Sequence, residues 1–165
     1  MTVFAIEALV LIVFFTLVIR LLAKQNPLNF LQDYPEPIRE RVKELGYEVE
    51  ETSRHSKAYI VRKGIVALMM GLVLTFVLVK VNHVTTFGAA FLTAYGLWVI
   101  VDLYDILLDI VWFCRDESLI IPGTEDLVEA YHDYMFHVRA SVRGLVIGLP
   151  VCVLAALLCV LVGRL

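Results

Sequence analysis

Residues 84–113 read VTTFGAAFLTAYGLWVIVDLYDILLDIVWF. From Val84 to Val101 the stretch carries no charge. As a helix rising about 1.5 Å per residue, that run is roughly 27 Å long, close to the hydrocarbon thickness of a bilayer at about 30 Å. Three other stretches match it in length and apolarity. The four expected spans cover about 3–22, 60–81, 84–110 and 140–163, leaving polar segments at about 23–59 and 114–139. The chain has 165 residues, 60% of them hydrophobic, and a mean hydropathy of +0.81. A soluble domain is nearer about 45–50% apolar, and here the excess is gathered into four blocks. These features predict an all-α, polytopic integral membrane protein: one four-helix transmembrane domain over 1–165, with short cytoplasmic amphipathic helices.

Charge orients the spans. Arg20, Lys24, Arg39, Arg41, Lys43, Arg54, Lys57, Arg62 and Lys63 lie around the first polar segment, and Arg115, Arg139 and Arg143 around the second. The opposite side keeps only Lys80 and Arg164. Cytoplasmic loops carry such an excess of Lys and Arg, so both long segments are expected inside and both termini outside. The turn around Lys80–His83 is then an outer turn closing a tight hairpin. The first stretch lacks a basic leader and a small-residue cleavage site, which suits an uncleaved anchor. The net charge of −3 points to no nucleic-acid partner. Cys114, Cys152 and Cys159 have neither CxxC nor metal-ligand spacing, and no disulfide is expected.

The polar segments carry their own signals. Pro37 is placed to open a short helix, with Ile38, Val42 and Leu45 on one stripe and Gly46 as its stop. That helix is expected against the membrane surface or the bundle. The run Glu48, Glu50, Glu51 reads as a solvated loop. Pro122–Gly123 marks a turn, and Thr124 reads as the N-cap of a helix running on into the last span. Glu125 and Asp126 would then favour its first turn. Pro150 is expected to kink the last span, and Glu7 to reach Lys80, His83 or Arg164.

The residues that could carry chemistry sit at the polar end of the quoted stretch. Asp102, Asp105 and Asp109 are spaced i, i+3, i+7, so their carboxylates share one helix face. Tyr95, Trp98 and Trp112 fall near the same stripe. Clustered carboxylates suit a divalent cation such as Mg²⁺ or a proton relay. They equally suit pairing with Arg20, Arg62, Lys63 or Arg139, which would fix the helix at its depth. On the last span, His137, Ser141, Gly144 and Gly148 share a face. His137 is a candidate base, metal ligand or proton carrier. Arg139 and Arg143 project the other way, toward lipid headgroups or an anionic ligand. Gly144 and Gly148 form a small-xxx-small pattern, and Gly64 and Gly71 offer a similar packing face on the second span.

The strings Trp112-Phe113-Cys114-Arg115, Ile121-Pro122-Gly123-Thr124-Glu125-Asp126 and Tyr131 with Tyr134 through Phe136-His137 resemble those of small bacterial four-helix membrane proteins of no assigned activity. Asp33-Tyr34-Pro35 through Ile38-Arg39-Glu40-Arg41-Val42 is similar to their first cytoplasmic segment. The resemblance covers about half of the chain. It implies the bacterial inner membrane and brings no catalytic residue with it.

Four functions fit this pattern. The first is an inner-membrane protein with a cytoplasm-facing polar pocket between the third and fourth spans. The second is a metal-dependent enzyme acting on a lipid or isoprenoid phosphate, with the three aspartates on the metal, His137 as base and Arg139 or Arg143 on the phosphate. The third is a small transporter or channel, built as a homo-oligomer. The fourth is an accessory subunit of a larger membrane partner. Membrane lipid is a partner in each.

Overall fold

The computed structural model describes residues 2–47 and 57–163, and every regular element among them is helical. In chain order these are α1 (Thr2–Gln25), a 3-10 turn at Pro27–Asp33, α2 (Glu36–Glu44), α3 (Lys57–Lys80) and α4 (Phe87–Leu108). A π turn at Asp109–Phe113, a 3-10 turn at Glu117–Leu119, α5 (Val128–Tyr131) and α6 (Tyr134–Val162) follow. The run Glu48, Glu50 and Glu51, with Arg54 and Arg164, lies outside the described residues, as do the side chains of Lys57, Arg62 and Lys63. Among the described residues two helical runs, Val3–Gln25 and Val128–Val162, are long and apolar enough to cross a membrane, and Ala67–Lys80 is a shorter apolar helix.

The chain divides into two compact units. The first comprises Met1–Ala8, Glu51–Val101 and Arg143–Leu165. Its core is made of Leu74 and Leu78 on α3, Ala90 and Ala94 on α4, and Val151, Cys152, Ala155, Ala156 and Cys159 on α6. Small side chains dominate this list, and they allow helix backbones to approach closely. The close approach shows in hydrogen bonds to main-chain carbonyls. Thr75 Oγ1 lies 2.7 Å from the Gly71 carbonyl and 3.3 Å from that of Ala155, and Cys159 Sγ donates to the Val84 carbonyl at 3.2 Å.

Gly148 is where space is tightest. A Cβ there would fall inside the Trp98 indole, whose Nε1 donates to the Gly144 carbonyl at 3.2 Å. The Gly144/Gly148 pair therefore seats one tryptophan. Gly71 is buried with Leu154 against it, whereas Gly64 is exposed with open space around it and takes no part in packing among the described residues. At the α3–α4 turn, Asn82 Nδ2 donates to Glu7 Oε1 at 2.9 Å. Asn82 thus takes the place that the sequence offered to Lys80, His83 or Arg164.

The second unit comprises Leu9–Glu50 and Asp102–Val142. Its core gathers Ala23, Leu31, Tyr34, Ile38, Val42, Phe113, Leu119, Ile121 and Tyr131. Ile38 and Val42 on α2 are fully buried in it, and α2 packs on α5, so this helix belongs to a core instead of lying free on a surface. Leu45, the third member of its stripe, is exposed at the helix end, and Gly46 stops the helix at φ +73°.

The loop from Ile121 to Tyr131 differs from the expected continuous helix. Thr124 is fully buried and caps nothing. Its hydroxyl donates to the Ile121 carbonyl at 2.7 Å and meets the Tyr131 hydroxyl at 2.7 Å, while the Ile121 N–H donates to that hydroxyl at 3.0 Å. Each hydroxyl has one proton, so Tyr131 must donate to Thr124 and the three residues close a ring. Glu125 takes the Gly123 N–H at 2.9 Å, and Asp126 meets Arg41 at 3.2 Å. The last helix starts only at Tyr134, with Asp133 Oδ1 accepting the Phe136 N–H at 3.0 Å as its cap.

The glycine seat is testable. Gly148→Ala should lower the midpoint of thermal unfolding, at a cost of about 1–3 kcal/mol for overpacking. Gly64→Ala should leave the midpoint unchanged or raise it slightly. Equal effects from the two substitutions would remove the distinction drawn between them.

Candidate functional site

The second unit holds the polar groups expected to carry chemistry. Asp102 and Asp105 lie in the last two turns of α4, and Asp109 opens the π turn that follows it. In that turn the Cys114 N–H reaches the Asp109 carbonyl at 2.9 Å, five residues back. Such turns occur often at functional sites. The turn brings Phe113 into the core, with its ring edge-on to His137 at 5.8 Å between centroids.

α6 supplies the partners. His137 is buried, and its Nδ1 stands 2.8 Å from Asp109 Oδ2. One turn later, the buried Ser141 hydroxyl donates to Asp102. His137 and Ser141 are i, i+4 on one face of α6, and Asp102 on α4 and Asp109 at the start of the π turn are i, i+7. Two independent pairs therefore join the same two faces. The thiol of the buried Cys114 also lies against His137, and Phe136 closes another side of the ring at 5.3 Å. Asp105 is half-buried between the two pairs, with Asp109, Asp33, Asp102 and His137 as its charged neighbours. Nearby, the hydroxyls of Tyr104 on α4 and Thr16 on α1 meet at 2.8 Å.

This arrangement separates the expected site residues. Among the described residues no three His, Cys, Asp or Glu side chains converge as a metal-ligand set. Asp102 and Asp109 each turn one oxygen to a different partner, Ser141 and His137, so the shared face of the aspartates is not a shared binding point. Arg139 and Arg143 are exposed. Arg20, expected near the aspartates, instead places its guanidinium 4.9 Å from the centre of the Trp112 ring. Tyr95 and Trp98, near the same stripe, donate to the α6 carbonyls of Leu145 and Gly144. The chemistry that the arrangement could support is proton binding. An imidazole with a carboxylate on Nδ1 is held in one orientation and can accept a proton on its other nitrogen.

Outside the helices, two carboxyls have clear environments. The Ser118 hydroxyl, with that residue's N–H, the Trp112 indole and the charge of Lys24, holds Asp116 below the usual carboxylate range against a partial cost of burial. The Gly123 N–H does the same for Glu125. Burial pushes the Tyr34 phenol well above its ordinary range, and this phenol donates to the Leu119 carbonyl at 2.9 Å.

Comparison with known proteins returns no family model that matches the chain, and no curated protein or solved structure that does.

Sequence reasoning placed His137 and Ser141 on one face opposite the aspartates but missed the specific pairs. It also missed the Thr16–Tyr104 contact and the anchoring of Trp112 on Asp116. The i, i+4 spacing of His137 and Ser141 was the available signal. The π turn that aims Phe113 and Cys114 leaves no mark in hydrophobic period.

Two outcomes follow. In a double-mutant cycle of Asp109→Asn and His137→Gln, the unfolding free energies should show a coupling of about 0.5–3 kcal/mol, while Asp109→Asn with Ser141→Ala should be closer to additive. For Asp116, a depressed folded pKa means that its contribution is complete above the unfolded value of about 4. It fades as pH falls through the lower folded value. Melts taken between pH 6 and pH 3 should therefore converge for the wild type and Asp116→Asn at the acid end. A difference that widened toward low pH would contradict the sign.

Proposed function

We propose that this chain is a four-span protein of the bacterial inner membrane that works through a proton-binding polar site between its third and fourth spans, open to the cytoplasm. The spans are α1, α3, α4 and α6. The termini lie outside, and the segments 23–59 and 114–139 lie inside. The exposure of α1 supports the membrane placement. Val3, Ile6, Leu9, Val10, Val13, Phe14, Leu17 and Leu21 are all exposed, and only 6% of the most apolar window of this helix is buried. A core helix of a soluble protein would bury that surface, and a patch of this size in water favours association. The charge distribution supports the orientation, and the resemblance to small bacterial membrane proteins supports the address.

The observation that carries the functional reading is the Asp109–His137 pair at 2.8 Å. An ionisable pair costs free energy at the edge of a hydrocarbon core, and such residues mark proton or substrate sites. A metal-dependent enzyme has less support, because Asp102 and Asp109 take separate partners on α6 and no three such side chains converge among the described residues. A transporter needs a polar path through the first unit. There Thr75, Tyr95 and Trp98 donate to main-chain carbonyls, which leaves their polar ends occupied.

Single cysteines test the topology in intact cells. Glu44→Cys and Glu117→Cys should resist a membrane-impermeant maleimide, and His83→Cys should react. The native cysteines are all buried and should stay silent. Labelling of Glu44→Cys and Glu117→Cys from opposite sides would end the four-span reading. For the site, Asp109→Asn and His137→Gln should each reproduce the phenotype of deleting the gene while the protein still accumulates in the membrane. Wild-type growth from both variants would remove the assignment.

A further inference from the structure

One cluster in the second unit takes no part in the His137 site. Arg20 lies in the last turns of α1, at the end of an apolar run that begins at Val3. Its guanidinium stands 4.9 Å from the centre of the Trp112 ring, within cation–π range. Trp112 is held at its other edge. The indole Nε1 donates to Asp116 Oδ2 at 2.7 Å. Asp116 Oδ1 in turn accepts the Ser118 hydroxyl at 2.6 Å and the Ser118 N–H at 3.0 Å. The ring cannot rotate away without breaking that bond, so the guanidinium rests on a fixed plate. Lys24, one turn beyond Arg20, lies close enough to influence the Asp116 carboxyl. Arg20 and Lys24 are both exposed.

The chemistry of these three side chains is that of a phosphodiester seat. With its face on the indole, a guanidinium keeps its N–H edges for a planar pair of acceptor oxygens. Lysine adds a second compact charge four residues along the same helix. A tryptophan at the end of an apolar span belongs at headgroup level. Asp116 is an anion beside the indole. Its oxygens are taken by Ser118 and the indole, so it orients the plate instead of neutralising Arg20.

We propose that Arg20, Lys24 and Trp112 bind the phosphate of an anionic phospholipid of the phosphatidylglycerol class in the cytoplasmic leaflet. A zwitterionic lipid would bring its own ammonium against two cations, whereas a glycerol headgroup adds no positive charge. The inference rests on the membrane placement above and names the lipid that the α1 end selects.

The test uses Trp112 as its own reporter. The chain has two tryptophans, so Trp98→Phe leaves Trp112 alone. The full chain is reconstituted in bilayers containing acyl-brominated phosphatidylglycerol or acyl-brominated phosphatidylcholine, and quenching is compared. The anionic lipid should quench more. Arg20→Gln and Lys24→Gln should each reduce the preference by about fivefold, the contribution expected of one cation near an anionic surface. Should Trp98→Phe not fold, the wild-type melting midpoint should rise with added phosphatidylglycerol and not with phosphatidylcholine, and Arg20→Gln should abolish the rise. Equal effects of the two lipids would overturn the inference, as would a preference that survives both substitutions. Reversal of the preference by inorganic phosphate would assign the seat to a free anion. No quenching by either lipid would instead overturn the membrane placement itself.

Discussion

A polar side chain buried among apolar helices has to find its partner inside the protein, because burial takes away the water that would otherwise satisfy it. That constraint accounts for most of the specific contacts of this chain. In the first unit the donors on the helices close on main-chain carbonyls. Thr75 does so on Gly71 and Ala155, Trp98 on Gly144, Tyr95 on Leu145 and Cys159 on Val84. The Thr75–Gly71 bond stays within α3, but the others require the donor's helix to come near the partner's backbone, and alanine, glycine and cysteine at the contact allow it. Small residues and carbonyl-directed donors are therefore two sides of one solution, and each needs the other.

In the second unit the constraint meets charges, and carbonyls no longer suffice. A carboxylate can only accept, so Asp102 and Asp109 need donors, and α6 provides a hydroxyl and an imidazole one turn apart. The two pairs fix rotation and register between the two faces. A single pair would leave a hinge. Two pairs on one stripe leave little freedom, and Asp105 is held between them. The loops of this unit follow the same rule with backbone groups. Tyr34 reaches the Leu119 carbonyl, Tyr47 that of Pro122, and the Thr124–Tyr131–Ile121 ring closes on itself. Side-chain hydroxyls, buried in all of these but Tyr47, thus hold non-helical chain in place where no helix ladder can.

The helices were legible because apolar length is a property of sequence alone. The α2 stripe at Ile38 and Val42 and the stop at Gly46 were legible for the same reason, since period and positive φ leave residue-level marks. What failed was placement that depends on a distant partner. Thr124 carries the signature of a cap, yet Tyr131 and the Ile121 carbonyl outcompete the helix for its hydroxyl. The capping role passes to Asp133. Glu7 had three cationic candidates in the sequence, and the amide of Asn82 is the partner found. Carboxylates that share a helix face need not meet at one point. Only the positions of His137 and Ser141 decide where each one goes.

The π turn at Asp109–Phe113 shows why one short segment serves two sets of neighbours. In an uninterrupted α-helix, Asp109, Trp112 and Phe113 are i, i+3 and i+4 and share a face. Here Asp109 and Phe113 both address His137, while Trp112 meets Arg20 of α1 and Asp116 of the following loop. The bond from the Cys114 N–H to the Asp109 carbonyl widens the turn by a residue. More residues per turn mean a smaller angular step per residue, so the side chain at i+3 falls well away from the face of i while the one at i+4 stays close to it. The N–H groups of Arg115 and Asp116 then both return to the Trp112 carbonyl at 2.9 Å and end the helix. Asp116 is thereby left beside the indole that it holds. The backbone irregularity is the reason that an acid meant for the histidine and an aromatic plate meant for the arginine can stand three residues apart.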